Sequence, residues 1–239
     1  MSTHWKSYPT AQDAAAACSR DILALLSTAV RERGRASLAV SGGSTPKLMF
    51  QQMAQAGFDW SQVHIFFVDE RCVPPEHEES NFRLCREHLL EPARVPLANV
   101  HRMKGEMVAH EAINDYVREM TAFFGEGVPV FDVIHRGMGA DAHTASLFPG
   151  EPLIHDRTLH AGFVYVEKLN RHRLSLTPAT LLATRETVVL AAGADKADPL
   201  WTVFHGERDV ERYPSQLDTP WGSWVTWYLD DAASARLRG

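Results

Sequence analysis

Cysteine is scarce in this 239-residue chain, which contains only Cys18, Cys72 and Cys85. Their spacing forms no CxxC pair, so the sequence offers neither a disulfide framework nor a common zinc-binding pattern. No apolar run approaches the ~20 residues of a membrane-spanning helix, and residues 1–6 lack the apolar segment of a signal peptide. These absences predict a reducing compartment and no membrane partner, and we expect a cytoplasmic location.

Positive charge is also in deficit, because 24 Lys and Arg residues face 30 Asp and Glu residues and give a net charge of −6. We therefore expect no nucleic-acid partner. A phosphorylated small molecule is compatible with this charge, since a few local cations and backbone N–H groups suffice to bind one. No repeat or low-complexity tract divides the chain, and we expect a single domain over residues 1–239.

Apolar strand-like segments alternate with helical segments along almost the whole chain. Strands are predicted at residues 36–40, 63–68, 100–103, 130–135, 162–167, 173–176, 187–192 and 224–228. Helices are predicted at residues 11–33, 46–56, 80–90 and 108–124, and further helices are expected to start at Pro178, Ala194 and Asp230. The alternation predicts an α/β fold with a mostly parallel sheet and helices on both faces.

The most informative motif is GMGADAHTASLFPG at residues 137–150, which follows a predicted strand. Asp141 and His143 lie just after a glycine-containing turn, at the expected start of a short helix. Ligands bind at the carboxyl ends of strands in such sheets, and histidine exchanges protons near neutral pH. We interpret His143 as a general base beside Asp141. A histidine that caps the helix is the structural alternative, and no metal is expected because no third ligand has a suitable spacing.

Three further segments carry candidate ligand-binding groups. The turn at residues 41–46 offers free N–H groups and hydroxyls to a phosphate, but it lacks the spacing and lysine of a P-loop. Asp69 and Arg71 follow the predicted strand at 63–68, where a solvated strand end is the alternative. Arg173 and Lys196 each lie near a strand or a strand–helix turn, where a surface charge is the alternative. The candidate binding residues are Ser41, Gly42, Gly43, Ser44, Thr45, Asp69, Arg71, Arg173 and Lys196.

Together these segments resemble the 6-phosphogluconolactonase family, which is related to the glucosamine-6-phosphate deaminases. The resemblance is carried, in order, by residues 41–46, 68–71, 137–150, 173–178 and 193–197. It implies a Rossmann-like sheet similar to those of the deaminase and of ribose-5-phosphate isomerase. It also implies hydrolysis of 6-phospho-D-glucono-1,5-lactone to 6-phosphogluconate in the oxidative pentose phosphate pathway, with no cofactor. We expect a monomer or a small homo-oligomer.

The residues accommodate this reaction, and we hypothesise that His143 activates water, that Arg173 and Lys196 help to bind the phosphate, and that Arg71 lies at the reacting end or the rim. The sequence departs from the family pattern at Ala142, where glycine is usual, and at residues 135–136, where apolar residues are usual. A positive φ at position 142 would strain an alanine.

Two other functions are compatible with parts of the pattern. A glucosamine-6-phosphate deaminase or isomerase would share the phosphate loop and the Asp-x-His turn. That family carries an acidic residue where Phe148 stands, and a phenylalanine cannot transfer a proton. A non-catalytic sugar-phosphate-binding protein would keep the phosphate loop but would not need His143.

Overall fold

The computed structural model describes residues 5–217 and 224–238. Within them the strands are β1 (Trp5–Tyr8), β2 (Ala36–Val40), β3 (Val63–Phe67), β4 (Asp69–Arg71), β5 (Val100–His101), β6 (Val133–Arg136), β7 (Ala161–Val166), β8 (Arg171–Leu176), β9 (Glu186–Ala191) and β10 (Val225–Asp230). The α-helices are α1 (Ala11–Arg33), α2 (Ser44–Gln55), α3 (Asn81–Cys85), α4 (Ala109–Phe124), α5 (Pro178–Leu182) and α6 (Ala197–His205).

Seven of these strands form one sheet in the order β1-β10-β9-β6-β2-β3-β5, and every neighbouring pair is parallel. Successive residues of a strand face opposite sides of a sheet. Leu38 accordingly packs in the core with α1 and α2, whereas its neighbour Ala39 packs in the core with α4. Helices therefore cover both faces, and the predicted α/β fold with a mostly parallel sheet is confirmed.

A second, smaller sheet of order β4-β8-β7 is antiparallel throughout. It includes two of the predicted strands, at residues 162–167 and 173–176. Strand β4 follows β3 after a single residue, Val68, and so links the end of the main sheet to the smaller one. This link brings the charged residues of β4 to the edge where the parallel strands end.

Helix boundaries follow local capping chemistry. The Thr10 side chain accepts a hydrogen bond from the Asp13 N–H at the start of α1, and Gly34 ends that helix in the left-handed conformation. The Ser80 side chain caps α3 in the same way by accepting from the Arg83 N–H. Residues Arg86–Leu90 continue α3 as a π-helical turn, so the predicted helix over 80–90 is present in two geometries.

Several sequence predictions are wrong in detail. The strand predicted at residues 130–135 begins only at Val133, as β6. The Asp132 carboxylate, just before it, accepts hydrogen bonds from the Ser37 N–H and from Arg33. Strand β10 runs through Asp230, and only turns follow it among the described residues. The Asp230 carboxylate accepts from the Gly193 and Ala233 N–H groups, which explains why no helix starts there. Strands β1 and β4 were not predicted.

Candidate active site

A cleft of about 310 Å³ lies at the carboxyl ends of β2, β6 and β9, with β4 on one side. The predicted site residues that line it are Ser41, Gly42, Gly43, Ser44, Thr45, Asp69, Arg71, His143 and Lys196. Asp141 and Arg173 are not among the lining residues, although each lies next to one of them. The structure therefore gathers most of the candidates from four separate segments into one cavity.

The His143 ring is held by Asp141 in a turn rather than at the start of a helix, so the predicted short helix is wrong. His143 Nδ1 lies 2.5 Å from Asp141 Oδ1, and the His143 backbone N–H donates to the same oxygen at 3.2 Å. Because a carboxylate only accepts, Nδ1 carries the proton and Nε2 of the neutral ring is the free acceptor. This arrangement suits a general base.

Close packing fixes the position of the imidazole. A Cβ atom added to Gly139 would lie 2.1 Å from His143 Nδ1, so no side chain fits at position 139. On another side of the ring, the Phe148 centroid lies 4.4 Å from the His143 centroid. The ring therefore has little freedom to leave Asp141.

Asp141 is ionised over the whole ordinary pH range. Partial burial alone would raise the pKa of its carboxyl, but hydrogen bonds from His143 and Lys168 outweigh burial and hold the pKa well below its usual value. A permanently negative carboxylate stabilises the imidazolium that forms when His143 accepts a proton.

Residues 41–43 lead into α2, which begins at Ser44, and Gly43 is its N-cap and makes no side-chain capping bond. The first N–H groups of a helix lack intrahelical partners and attract anions. Gly42 packs against Asn81, whose Oδ1 would lie 1.9 Å from an added Cβ. The buried Ser41 hydroxyl has no hydrogen-bond partner among the described residues. The loop thus presents unused donors to the cleft.

Asp69 and Arg71 occupy alternate positions on β4 and line the cleft. Ser146 Oγ donates to Asp69 Oδ2 at 2.9 Å, and Asn81 Nδ2 donates to the Asp69 carbonyl at 2.8 Å. The Asp69 carboxylate is therefore held by Ser146, and the Asp69 backbone is held by Asn81 at the start of α3. The Arg71 guanidinium donates to the Glu79 carbonyl of the adjoining loop.

The two other candidate cations occupy different positions. Lys196 lines the cleft, and its Nζ atom lies 2.7 Å from Asp195 Oδ2. Arg173 is paired with Arg71 across β4 and β8, and its Nε and Nη1 atoms have no hydrogen-bond partner among the described residues. Burial lowers the pKa of Arg173, and the charge of Arg71 lowers it further. Arg173 thus adds positive charge beside Arg71, its partner on the neighbouring strand.

Sequence reasoning missed three residues that support the site. Glu70 is buried and accepts hydrogen bonds from the start of α3, Ser146 holds Asp69, and Lys168 contacts Asp141. Ser146 lies within the motif at residues 137–150, but nothing in its spacing indicates a carboxylate partner. Lys168 is 25 residues from His143 in the sequence, so only the fold connects them.

Among residues 5–217 and 224–238, no cluster of three or more His, Cys, Asp or Glu side chains has a geometry suited to a metal ion. Within the same residues, no helix combines the length and the apolar character that crossing a bilayer requires.

The fold and the cleft define a family. The family model described as "Glucosamine-6-phosphate isomerases/6-phosphogluconolactonase" matches residues 9–227, and the chain belongs to this family.

The similar proteins include some named 6-phosphogluconolactonase and a glucosamine-6-phosphate deaminase. A 6-phosphogluconolactonase of Synechocystis sp. is 36% identical over 219 residues, which cover 89% of each chain. The crystal structure of a 6-phosphogluconolactonase from Shewanella baltica has a TM-score of 0.86 at 29% identity, covering 96% of this chain and 98% of that chain. The structure of a monomeric glucosamine-6-phosphate deaminase has a TM-score of 0.83, and the match covers 98% of this chain and 99% of that chain. The sequence identity is 15%, so this likeness concerns the fold alone.

Proposed function

We propose that the chain hydrolyses 6-phospho-D-glucono-1,5-lactone to 6-phospho-D-gluconate, the lactonase step of the oxidative pentose phosphate pathway. The observation that carries the proposal is the His143–Asp141 pair, with Nδ1 and Oδ1 2.5 Å apart, in the same cleft as an anion-binding loop. The similar proteins named 6-phosphogluconolactonase support the choice of substrate.

In the proposed reaction, His143 Nε2 takes a proton from a water molecule as the water oxygen bonds to the lactone C1. The carbonyl oxygen of C1 becomes an oxyanion, for which Arg71 and loop N–H groups are the available donors. When the C1–O5 bond breaks, the ring oxygen receives the proton from His143. The products are the acid and a free hydroxyl, and the imidazole returns to its neutral form without any cofactor.

We assign the substrate phosphate to the part of the cleft that residues 41–45 line. Residues 41–45 offer N–H groups and hydroxyls, and Lys196 adds a cation on the same cavity. We assign Arg173, the cross-strand partner of Arg71, the role of adding positive charge to this binding, and Asp69 that of accepting from a sugar hydroxyl. Binding energy from the distant phosphate would position the reacting carbonyl near His143.

The deaminase alternative is weaker because of one residue. Phe148, which stands where that family has an acidic residue, packs its ring against His143 and supplies no proton-transferring group. A protein that only binds sugar phosphates would have no use for the Asp141–His143 pair. No observation on the cleft favours either alternative.

We also infer a small anionic substrate as the only ligand class, with no nucleic acid, and a cytoplasmic monomer or small homo-oligomer. The net charge of −6 and the three unpaired cysteines support this inference. Light scattering coupled to size-exclusion chromatography would test the oligomeric state.

The function is tested by following the loss of the δ-lactone by NMR, with substrate generated in situ by glucose-6-phosphate dehydrogenase. We expect the wild-type chain to exceed the spontaneous rate clearly. His143→Ala should reduce kcat/KM by roughly 10²- to 10⁴-fold, the range for loss of a general base.

The matched control is His110→Ala, because His110 is exposed on α4 and does not line the cleft. It should retain full activity. A folded wild-type chain with no effect above background would contradict the lactonase proposal. Equal activity in His143→Ala and wild type would keep the reaction and remove His143 as the base.

A further inference from the structure

Lys168 lies in the short turn Glu167–Leu169 that joins β7 to β8. Its side chain contacts Asp141, the partner of His143. Its Nζ atom donates to Asp141 Oδ2, while His143 occupies Oδ1 of the same carboxylate. Nζ also lies 4.8 Å from the centroid of Phe148, whose ring packs against His143. The lysine is thus held by two of the groups that hold the imidazole.

We propose that Lys168 is a positioning residue that shares the Asp141 carboxylate with His143 and keeps the imidazole unprotonated to lower pH than Asp141 alone would allow. This inference rests on the proposed function, because it assigns Lys168 a part in preparing the general base. It adds a group that no motif in the sequence indicates.

The physical reason is a conflict within the histidine–aspartate pair. A carboxylate orients the ring but also favours its protonated form, and an imidazolium cannot take a proton from water. An ammonium on the other carboxylate oxygen offsets part of that negative charge and leaves the Nδ1–Oδ1 hydrogen bond in place. Asp141 then orients His143 while Lys168 offsets part of the carboxylate charge.

Other charges face the pair from the elements around it. The cleft walls contribute the cleft-lining residues Asp69, Arg71, Asp195 and Lys196. Helix α6 contributes Asp198, and the C-terminal turns contribute Arg236. Arg236 Nη1 lies 2.6 Å from Asp198 Oδ1, and both residues line a cavity that Asp141 also lines. Strand β6 contributes Arg136, which donates to Thr144. Lys168 is the cation in hydrogen-bond contact with Asp141 Oδ2.

The test is the titration of His143 in Lys168→Met, without substrate. Methionine has a side chain of similar length and removes the charge, and the Lys168 side chain is 53% exposed, so the variant should fold. The His143 Hε1 signal is assigned from its absence in His143→Asn and is followed by NMR at low salt. We expect the titration midpoint to rise by about 0.5 to 1 pH unit in Lys168→Met.

Two further variants sharpen the test. Lys168→Arg should keep the wild-type midpoint, because it restores a cation at Asp141. Lys6→Met removes a lysine that pairs with Asp21, outside the cleft, and should leave the midpoint unchanged. The acid limb of kcat/KM for lactone hydrolysis should move upward with the NMR midpoint in Lys168→Met.

An unchanged midpoint in Lys168→Met would overturn the proposal, even if activity fell. The NMR titration needs no turnover, so it separates this proposal from the function. A shifted midpoint in a chain that hydrolyses no lactone would reject only the function. Hydrolysis with an unshifted midpoint would reject only the role of Lys168.

Discussion

Ala142, between Asp141 and His143, has a left-handed backbone with a φ of 60°. The left-handed region costs a residue with a Cβ roughly 1–2 kcal/mol relative to glycine. The Ala142 methyl group is buried among apolar side chains that include Met138 and Val189, and this burial offsets part of the strain. The strain that the sequence predicts for a positive φ at this position is therefore present, with local compensation.

We predict that Ala142→Gly changes the free energy of unfolding by less than about 1 kcal/mol, because relief of strain and loss of one buried methyl group nearly cancel. The control is Ala29→Gly in α1, where an equally buried alanine has ordinary helical backbone. That change should cost about 2 kcal/mol from lost helix propensity and lost burial. Urea unfolding measures both values, and equal losses would contradict the prediction.

At the scale of single residues, the sequence predicts the chemistry of the site better than its positions. His143 and the loop at residues 41–45 line the cleft, as their places after strands indicate. Arg173 and Lys196 look equivalent in the sequence, yet only Lys196 lines the cleft. The difference depends on which sheet each strand joins, and residue type carries no information on that point.

Glu70 joins two elements of the site wall. Its buried carboxylate accepts from the N–H groups of Arg71, Asn81 and Phe82 and from the Ser80 hydroxyl. Burial raises the pKa of Glu70, and these hydrogen bonds oppose that rise. The carboxylate therefore fixes the start of α3 to β4, next to the cleft-lining residues of that strand.

Glu70→Gln should lower the free energy of unfolding by about 1–3 kcal/mol, because the amide nitrogen cannot accept and leaves buried donors unpaired. Lactone hydrolysis should also fall, since Arg71 and Asn81 lose a shared anchor. Glu76→Gln is the matched control, as Glu76 forms an exposed pair with Arg86 and should change stability by less than about 0.5 kcal/mol. Equal stability of the two variants in urea would refute this role of Glu70.

The long amphipathic elements are predictable from periodicity, and the short ones are not. Helix α1 has the predicted bounds, and Ser80 caps a helix where its residue type indicates. Strand β4 has only three residues, all charged, and exists because β8 pairs with it. The turn after Gly139 resembles a helix start in sequence, but the Asp141 side chain binds His143 instead of capping a helix.

At the scale of the whole molecule, His135 determines part of the acid stability. It is fully buried on β6, and neither ring nitrogen has a hydrogen-bond partner among the described residues. Burial, with a smaller effect from Arg136, lowers its pKa to about 3. The unfolded chain binds a proton at this histidine below about pH 6.5, and the folded chain does not.

The free energy of unfolding should therefore fall as the pH drops from about 6.5 towards 3, by up to about 1.4 kcal/mol per pH unit for this residue. His135→Leu removes this contribution, so its loss of stability between pH 6.5 and 5 should be smaller than that of wild type by about 1.6 kcal/mol. His64, with a pKa lowered to about 4, keeps its own contribution in both chains. Urea unfolding across this pH range, with exposed His110→Gln as the control, provides the check, and parallel pH curves would rule the account out.

The parallel architecture follows from the alternation of elements, but the order of strands within the sheet does not. Periodicity shows which residues are buried without showing which strands are neighbours. Strand β1 was missed because its four residues, Trp5–Tyr8, are mostly half-buried and form no apolar run. The single domain over residues 1–239 stays a prediction, and one cooperative unfolding transition is its expected sign.

The place of β10 between β1 and β9 has a consequence for biosynthesis. Among the described residues of the main sheet, β1 pairs only with β10, so during synthesis β1 waits for residues 225–230 before it gains a partner. A nascent chain released before that point exposes the edge of β9 and an unpaired β1. Translation that stalls before residue 225 would therefore yield a product prone to pair with other chains.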